Sequence, residues 1–384
     1  MAARTRRALI GAVVGLLAGS VMARAFAQYL KPPPDKPPTA PAPAKPPVVK
    51  TPPADPLAIV KTPVTRLQSF SYAPFPYTGP GEDGRTPFYD VIDAFKRRGH
   101  RTPSGDVLIE GITYSDDRTL MYVPAGFDPR RPALIVMFFH GHGSVIERTV
   151  MDADLPRQIA ESGANAVLVA PQFAYDAADS SPGKFWRPSA FARFIDEAAT
   201  KLALLLTPQG ADLRRLSGVF NLAPVMLVAF SGGYKPAAYV LARGGAAHRV
   251  HSVVLLDALY DEEDKFAAWF ASARQRAFIA SFYTESTAGN QAKLRDMLAK
   301  RRVASTTSLP ASFPHGTAVF IASGTIERHA RFVLEGPPHD PVKAILAATP
   351  GYRMKPEPAP AKPPAKPSTK PVAKRQRGRP AARR

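Results

Sequence analysis

Between about residues 105 and 348 short apolar runs alternate with stretches of helical periodicity. Ala133 to Phe139 is unbroken by any polar residue, the pattern of a strand covered on both faces. Ala166–Ala170, Val225–Phe230, Val250–Leu256 and Ala277–Phe282 are likewise mainly apolar, and Val107–Tyr114 with Thr119–Val123 reads as a strand pair leading in. Between these runs lie amphipathic segments. In 191–206, for instance, Phe191, Phe194, Ile195, Ala198 and Leu202 recur at helical spacing. Strand and helix in alternation predict an α/β fold, a mostly parallel central sheet with helices on both faces. Ligands of such sheets bind beyond the C-terminal ends of the strands, so chemistry is expected just after each apolar run. No internal repeat is evident.

The ends of the chain are built differently. Arg4, Arg6 and Arg7 precede an apolar run from Ala8 to Ala23, and Ala25-Phe26-Ala27 supplies small residues before Gln28. This predicts a signal peptide over 1–27, with Thr5-Arg6-Arg7 resembling a twin-arginine export signal. Sixteen apolar residues fall short of the ~20 that span a bilayer core, so cleavage is expected rather than anchoring, although Arg24 sits close to the cut. The expected destination is periplasmic or secreted. Residues 28–64 are a Pro/Lys-rich linker, 65–104 a lead-in segment, 105–351 the folded domain and 352–384 a basic Pro/Ala/Lys-rich tail. The Pro-rich tails are expected to be disordered, because they hold too few apolar side chains to offset the entropy of ordering.

Charge sharpens this division. Of the net +20, residues 65–351 carry only +3, so the high pI belongs to the ends. A folded domain with a basic nucleic-acid-binding face is not supported, and no specific nucleic-acid partner is expected. Weak, salt-sensitive contact of the tails with anionic envelope surfaces is compatible with their charge. The chain has no cysteine, which excludes disulfides, a thiolate nucleophile, Cys-ligated zinc and iron–sulfur clusters.

Two strand ends carry candidate chemistry. After Val225–Phe230 comes Ser231-Gly232-Gly233-Tyr234 and then a helical stretch. A serine in so sharp a turn needs small neighbours, which Ala229, Gly232 and Gly233 provide. The strand Ala133–Phe139 is followed by His140-Gly141-His142-Gly143. Together these features resemble the α/β-hydrolase superfamily, with its G-x-S-x-G nucleophile elbow (alanine here replacing the first glycine) and H-G-x-G loop. In layout the chain is similar to exported esterases of the feruloyl-esterase and polyhydroxyalkanoate-depolymerase type. The resemblance implies Ser231 as nucleophile and an oxyanion hole formed by the amides of Gly232 and of Gly141 or His142, with His140 bracing the loop. A rival reading takes His140 and His142 as the H-x-H of a metal-dependent hydrolase, but the further His and Asp ligands such a site needs are not evident.

The resemblance also implies an acid and then a histidine further along the chain. Arg331–Glu335 reads as a last strand, and His339 in the loop beyond it is the expected base, with His329 the alternative. His251 and His315 precede or enter strands. Asp257 ends the strand Val250–Leu256 and is the expected acid, ahead of Asp261 and Glu285. Asp261 to Asp264 also suits a helix start, where acids are favoured. The loop 171–188, with Phe173, Tyr175, Phe185 and Trp186, is expected either to overhang the site or to pack as core. The functional expectation is an exported serine hydrolase cleaving a carboxylic ester, less readily an amide, with no cofactor. Its substrate would be a small or polymeric ester. The alternative is a catalytically idle hydrolase fold that binds the envelope.

Overall fold

A computed structural model of the chain describes residues 55, 57–207 and 212–354. The expected signal peptide (1–27), most of the linker (28–64) and nearly all of the tail (352–384) lie outside the described residues. Eight strands form the central sheet: β1 (Val64–Ser69), β2 (Arg118–Val123), β3 (Leu134–Phe139), β4 (Ala166–Pro171), β5 (Val225–Phe230), β6 (Val250–Leu256), β7 (Phe278–Tyr283) and β8 (Ala318–Ala322). Their order is β1-β2-β4-β3-β5-β6-β7-β8, and β2 alone runs against the rest. That order, with a serine turn after β5, is the α/β-hydrolase fold.

The unbroken apolar runs follow from burial on both faces. In β3, Ile135, Met137 and Phe139 enter one core while Leu134, Val136 and Phe138 enter the other. In β5, Val225, Leu227 and Ala229 part in the same way from Met226 and Val228. Each fully buried large side chain contributes roughly 1.5–3 kcal/mol, so a polar residue inside either strand would be costly. The first face is covered chiefly by helices Ala190–Leu206, Leu213–Leu222, Tyr234–Arg243, Glu263–Ala273 and Ala288–Lys300. The second lies under Ile146–Asp152, Leu155–Glu161, Phe332–Glu335 and Pro341–Ala348.

Four details differ from the sequence expectation. First, β1 falls in the linker and lead-in, and residues just before it are already packed: Val60 accepts from the Gly126 amide at 2.7 Å and donates to Phe127 at 2.9 Å. Second, Val107–Tyr114 does not pair with β2. Val107–Ile109 joins Val91–Ile92 and Arg98–Arg101 in a small antiparallel sheet, and Glu110–Thr113 coils into a helical turn. Third, the last strand is Ala318–Ala322, which pairs with β7 from Ile279↔Ala318 onward.

Fourth, Arg331–Glu335 is helical. Phe332 and Val333 turn into the second core, and Arg331 pairs with Glu335 one turn on at 2.6 Å. In the loop 171–188, Phe173 and Phe185 are core residues, and Trp186 joins Phe75, Tyr77, Phe88, Tyr114 and Tyr239 in an aromatic layer beside it. Those aromatics pack the fold.

Candidate active site

The turn after β5 is held by contacts that leave no room for larger residues. Ser231 has φ +50°, a left-handed conformation that a non-glycine residue adopts only when its surroundings enforce it. A Cβ on Gly233 would lie 2.3 Å from the carbonyl oxygen of Phe139, and one on Gly141 would lie 2.6 Å from the Ser231 Cβ. The loop after β3 and the turn after β5 therefore touch backbone to backbone. Helix Tyr234–Arg243 begins directly beneath, so its N-terminal dipole favours negative charge forming over the turn.

Ser231 Oγ lies 2.8 Å from Nε2 of His329, whose Nδ1 lies 2.6 Å from Oδ2 of Asp257. Asp257 is fully buried at the end of β6, with φ +45°. Its carboxylate also accepts the Thr284 N–H and Oγ1–H, each at 2.9 Å, and the Thr287 hydroxyl at 3.1 Å. Burial alone pushes the Asp257 pKa up. The hydrogen bonds from His329 and Thr284 outweigh it and hold the carboxyl below the ordinary range. Asp257 is thus an anion that accepts Nδ1–H, which leaves Nε2 of His329 free to accept from Ser231. Phe230 stacks on the His329 ring at 5.2 Å between centroids, and Tyr260 meets it edge-on at 6.2 Å.

Of the expected residues, the structure brings together Ser231, Asp257, Gly141, His142 and Gly232. His339 is not among them, and the expectation that it reaches the serine is corrected. It projects into solvent beside Asp340, its Nδ1 3.5 Å from that carboxylate. The difference follows from the misplaced last strand: the loop beyond the true β8 delivers His329. Asp261 accepts the neighbouring Glu262 amide, and Glu285 is exposed on the turn Glu285–Thr287, so neither faces His329.

His140 braces the loop in an identifiable protonation state. Its Nε2 accepts the Phe173 backbone N–H at 2.8 Å, so the proton resides on Nδ1 and is donated to the Gly141 carbonyl at 2.8 Å. Burial pushes its pKa down to about 4, the Gly141 bond opposing in part. With both ring nitrogens engaged by backbone, His140 has no lone pair to offer a cation. The H-x-H metal reading therefore loses its first ligand. Among the described residues, no cluster of three or more His, Cys, Asp or Glu side chains is arranged to hold a metal.

Two groups of partners escaped sequence reasoning. Thr284 and Thr287 follow β7, where this fold usually carries its acid, and here they serve the carboxylate of Asp257 instead. Gln172 donates to the Ser144 carbonyl at 3.0 Å and accepts the Ile146 amide at 2.7 Å, tying the loop after β3 to the end of β4. No sequence pattern marks either group. Among the described residues the backbone N–H groups of Gly141 and His142 have no hydrogen-bond partner, although Gly141 abuts Ser231. Uncommitted donors at that point suit a developing oxyanion. A cavity of about 880 Å³ opens over the serine, with Phe230, Tyr234, Tyr260, Val333 and Leu334 in its wall. It lies within the size range of small-molecule sites.

No family model and no curated protein matches the chain. Among solved structures it is similar to a protein designated FAE (12% identity, TM-score 0.40, covering 77% of this chain and 93% of the other). It is also similar to a feruloyl esterase module from Clostridium thermocellum complexed with sinapinate (13%, 0.38, 73% and 97%). A thermostable esterase from Pseudomonas putida matches as well (15%, 0.32, 62% and 79%).

Proposed function

We propose that the protein is a serine hydrolase that cleaves carboxylic esters. The observation that carries the reading is the unbroken chain Asp257–His329–Ser231, with hydrogen bonds of 2.6 and 2.8 Å. In this scheme His329 Nε2 takes the Ser231 proton as Oγ attacks the ester carbonyl. The oxyanion is held by the Gly232 amide and that of Gly141 or His142. On collapse, the imidazolium gives its proton to the departing alcohol and leaves an acyl-serine. Water, deprotonated by His329, then attacks the acyl carbon. Expulsion of Oγ, which regains its proton from His329, releases the acid and restores the site. Asp257 keeps the Nδ1–H tautomer and stabilises the imidazolium without itself taking a proton. No cofactor enters these steps.

The test pairs labelling with turnover. A fluorophosphonate probe is expected to modify Ser231 in the wild-type protein and not in Ser231→Ala, which should retain its circular dichroism spectrum and lose p-nitrophenyl butyrate hydrolysis. A wild-type chain that resists the probe, or an undiminished Ser231→Ala variant, overturns the proposal. Export is proposed from the sequence of residues 1–27 alone. Cell fractionation with N-terminal sequencing is expected to find the protein outside the cytoplasm, beginning near Gln28.

A further inference from the structure

Beside Ser231 stands a second imidazole that the proposed reaction does not use. The His142 side chain lines the cavity together with Ser144 and Ser180. Its Nε2 is hydrogen-bonded to Ser180 Oγ at 2.8 Å. The pair lies directly against Gly232: a Cβ added there would stand 2.6 Å from His142 Cδ2 and 2.6 Å from Ser180 Oγ. Among the described residues, His142 Nδ1 has no hydrogen-bond partner.

The loop bearing this ring is fixed from several directions. Gly143 N–H donates to the Ala177 carbonyl at 2.9 Å, Asp176 N–H to Ser144 at 3.2 Å, and Gln172 secures the Ser144 carbonyl. The ring therefore has no need of Ser180 to hold its loop in place.

The chemistry of the pair limits what it can bind. Desolvation of the His142 ring pushes its pKa below the ordinary value, Asp179 pulling the other way and His329 adding to the fall. The ring is consequently neutral at neutral pH. A neutral imidazole bonded to a hydroxyl has two equivalent arrangements. If Ser180 donates to Nε2, its Oγ keeps lone pairs that accept; if Nε2 donates to Ser180, the hydroxyl hydrogen is free to donate. An uncharged partner able both to donate and to accept fits either arrangement, and an alcohol is such a group. A carboxylate only accepts and an ammonium only donates, so each would match one arrangement. Ser144 and Thr149 stand in the same cavity wall.

We propose that His142 and Ser180 form a subsite for a free hydroxyl group of the substrate, so that the protein prefers esters with a neutral, hydroxylated portion next to the scissile bond. The proposal rests on the serine-hydrolase reading and specifies its substrate class. Its test compares kcat/KM for glyceryl monobutyrate and ethyl butyrate, which share an acyl group and differ in free hydroxyls. Taking the ratio on one protein cancels any general damage to the oxyanion loop. The wild type is expected to favour the hydroxylated ester about tenfold, the effect of one or two neutral hydrogen bonds in an open site. His142→Phe and Ser180→Ala should each bring the ratio to within about twofold of unity, and Ser180→Thr, which restores a hydroxyl, should recover most of the preference. A wild-type ratio near unity, or variants that slow both esters in proportion, overturns the subsite while leaving the hydrolase reading intact. A wild-type protein that cleaves neither ester and resists the fluorophosphonate probe overturns both.

Discussion

The two strand ends that meet in the site are held by opposite means. At the end of β5, Ser231 is fixed by close backbone packing: Gly232 and Gly233 have no space for a side chain, and Gly141 of the loop after β3 presses on the serine itself. At the end of β8, His329 sits on a turn, Ile326–Arg331, and is placed by what it touches from distant parts of the chain. Asp257 is 72 residues away, Ser231 is 98 away, and the Phe230 ring lies against its face. Both ends are placed by distant chain, one through close backbone packing that only small residues permit and the other through side-chain contacts. A requirement for small residues leaves a mark in the sequence and side-chain contact does not.

The sharpest way to break that contrast is to exchange the two histidines of the C-terminal region. His329→Ala is expected to cut kcat for p-nitrophenyl butyrate by on the order of 10⁴-fold or more, the scale of losing a triad base. His339→Ala should remain within about twofold of wild type. Comparable losses from both, or the reverse order, would mean that the loop after β8 does not place the base as described. Asp257→Asn comes next, at roughly 10³- to 10⁴-fold, since an amide can stabilise the wrong tautomer of His329. Thr284→Val leaves the carboxylate its His329 and backbone bonds and should cost only about tenfold. If Thr284→Val matched Asp257→Asn, the threonine rather than the acid would be organising the imidazole.

Much of the architecture was readable because both faces of the central strands are buried, so β3, β4 and β5 each show an uninterrupted apolar run and β6 one from Val253 to Leu256. The elbow was readable for its small residues and its position between strand and helix. The histidine that meets Ser231 was not, because Arg331–Glu335 reads as a strand and folds as a helical turn. Ala318-Val319-Phe320-Ile321-Ala322 is an apolar run bounded by Gly316-Thr317 and Ser323-Gly324, a signal as clear as that of β4. Phe332-Val333-Leu334 is a rival run that folds as a helical turn because its side chains cover the sheet from outside. The rule that the histidine follows the last strand holds in this structure; the strand had been displaced by about a dozen residues. β1 was hidden for another reason. Its sequence, Val64-Thr-Arg-Leu-Gln-Ser69, lies at the sheet edge and is only partly buried, so it lacks the apolar run that marked the others.

Smaller effects sharpen the backbone-packing half of the comparison. Gly141→Ala brings a Cβ to 2.6 Å from the Ser231 Cβ, so the serine or the loop must shift by roughly 0.8 Å or more to restore ordinary contact. We expect kcat to fall about 10- to 100-fold through misplacement of the nucleophile and oxyanion donors, with KM little changed. A Gly141→Ala enzyme with wild-type kcat would show that this contact does not set the geometry.

The least dramatic prediction separates the two imidazoles of the loop itself, only two residues apart. His140 is buried and bonded through both nitrogens, and its pKa falls from the ordinary 6.5 to about 4 in the folded state. A group whose folded pKa is depressed contributes stability above its unfolded pKa and loses it as pH falls through the folded one. Between about pH 6.5 and pH 4 the unfolded chain binds a proton at this position that the native site refuses. The native state should therefore lose on the order of 3 kcal/mol across that window from His140 alone. His140→Gln has no such proton to bind. It should be less stable than wild type at pH 7, where the Phe173 and Gly141 bonds are disturbed, and the deficit should shrink steadily toward pH 4. Urea midpoints for the two proteins at pH 7, 5.5 and 4 measure that difference directly, because every other titrating group is common to both. A deficit independent of pH would show that the ring takes up its proton in place, and the assignment of Nε2 as a permanent acceptor for Phe173 would fail with it.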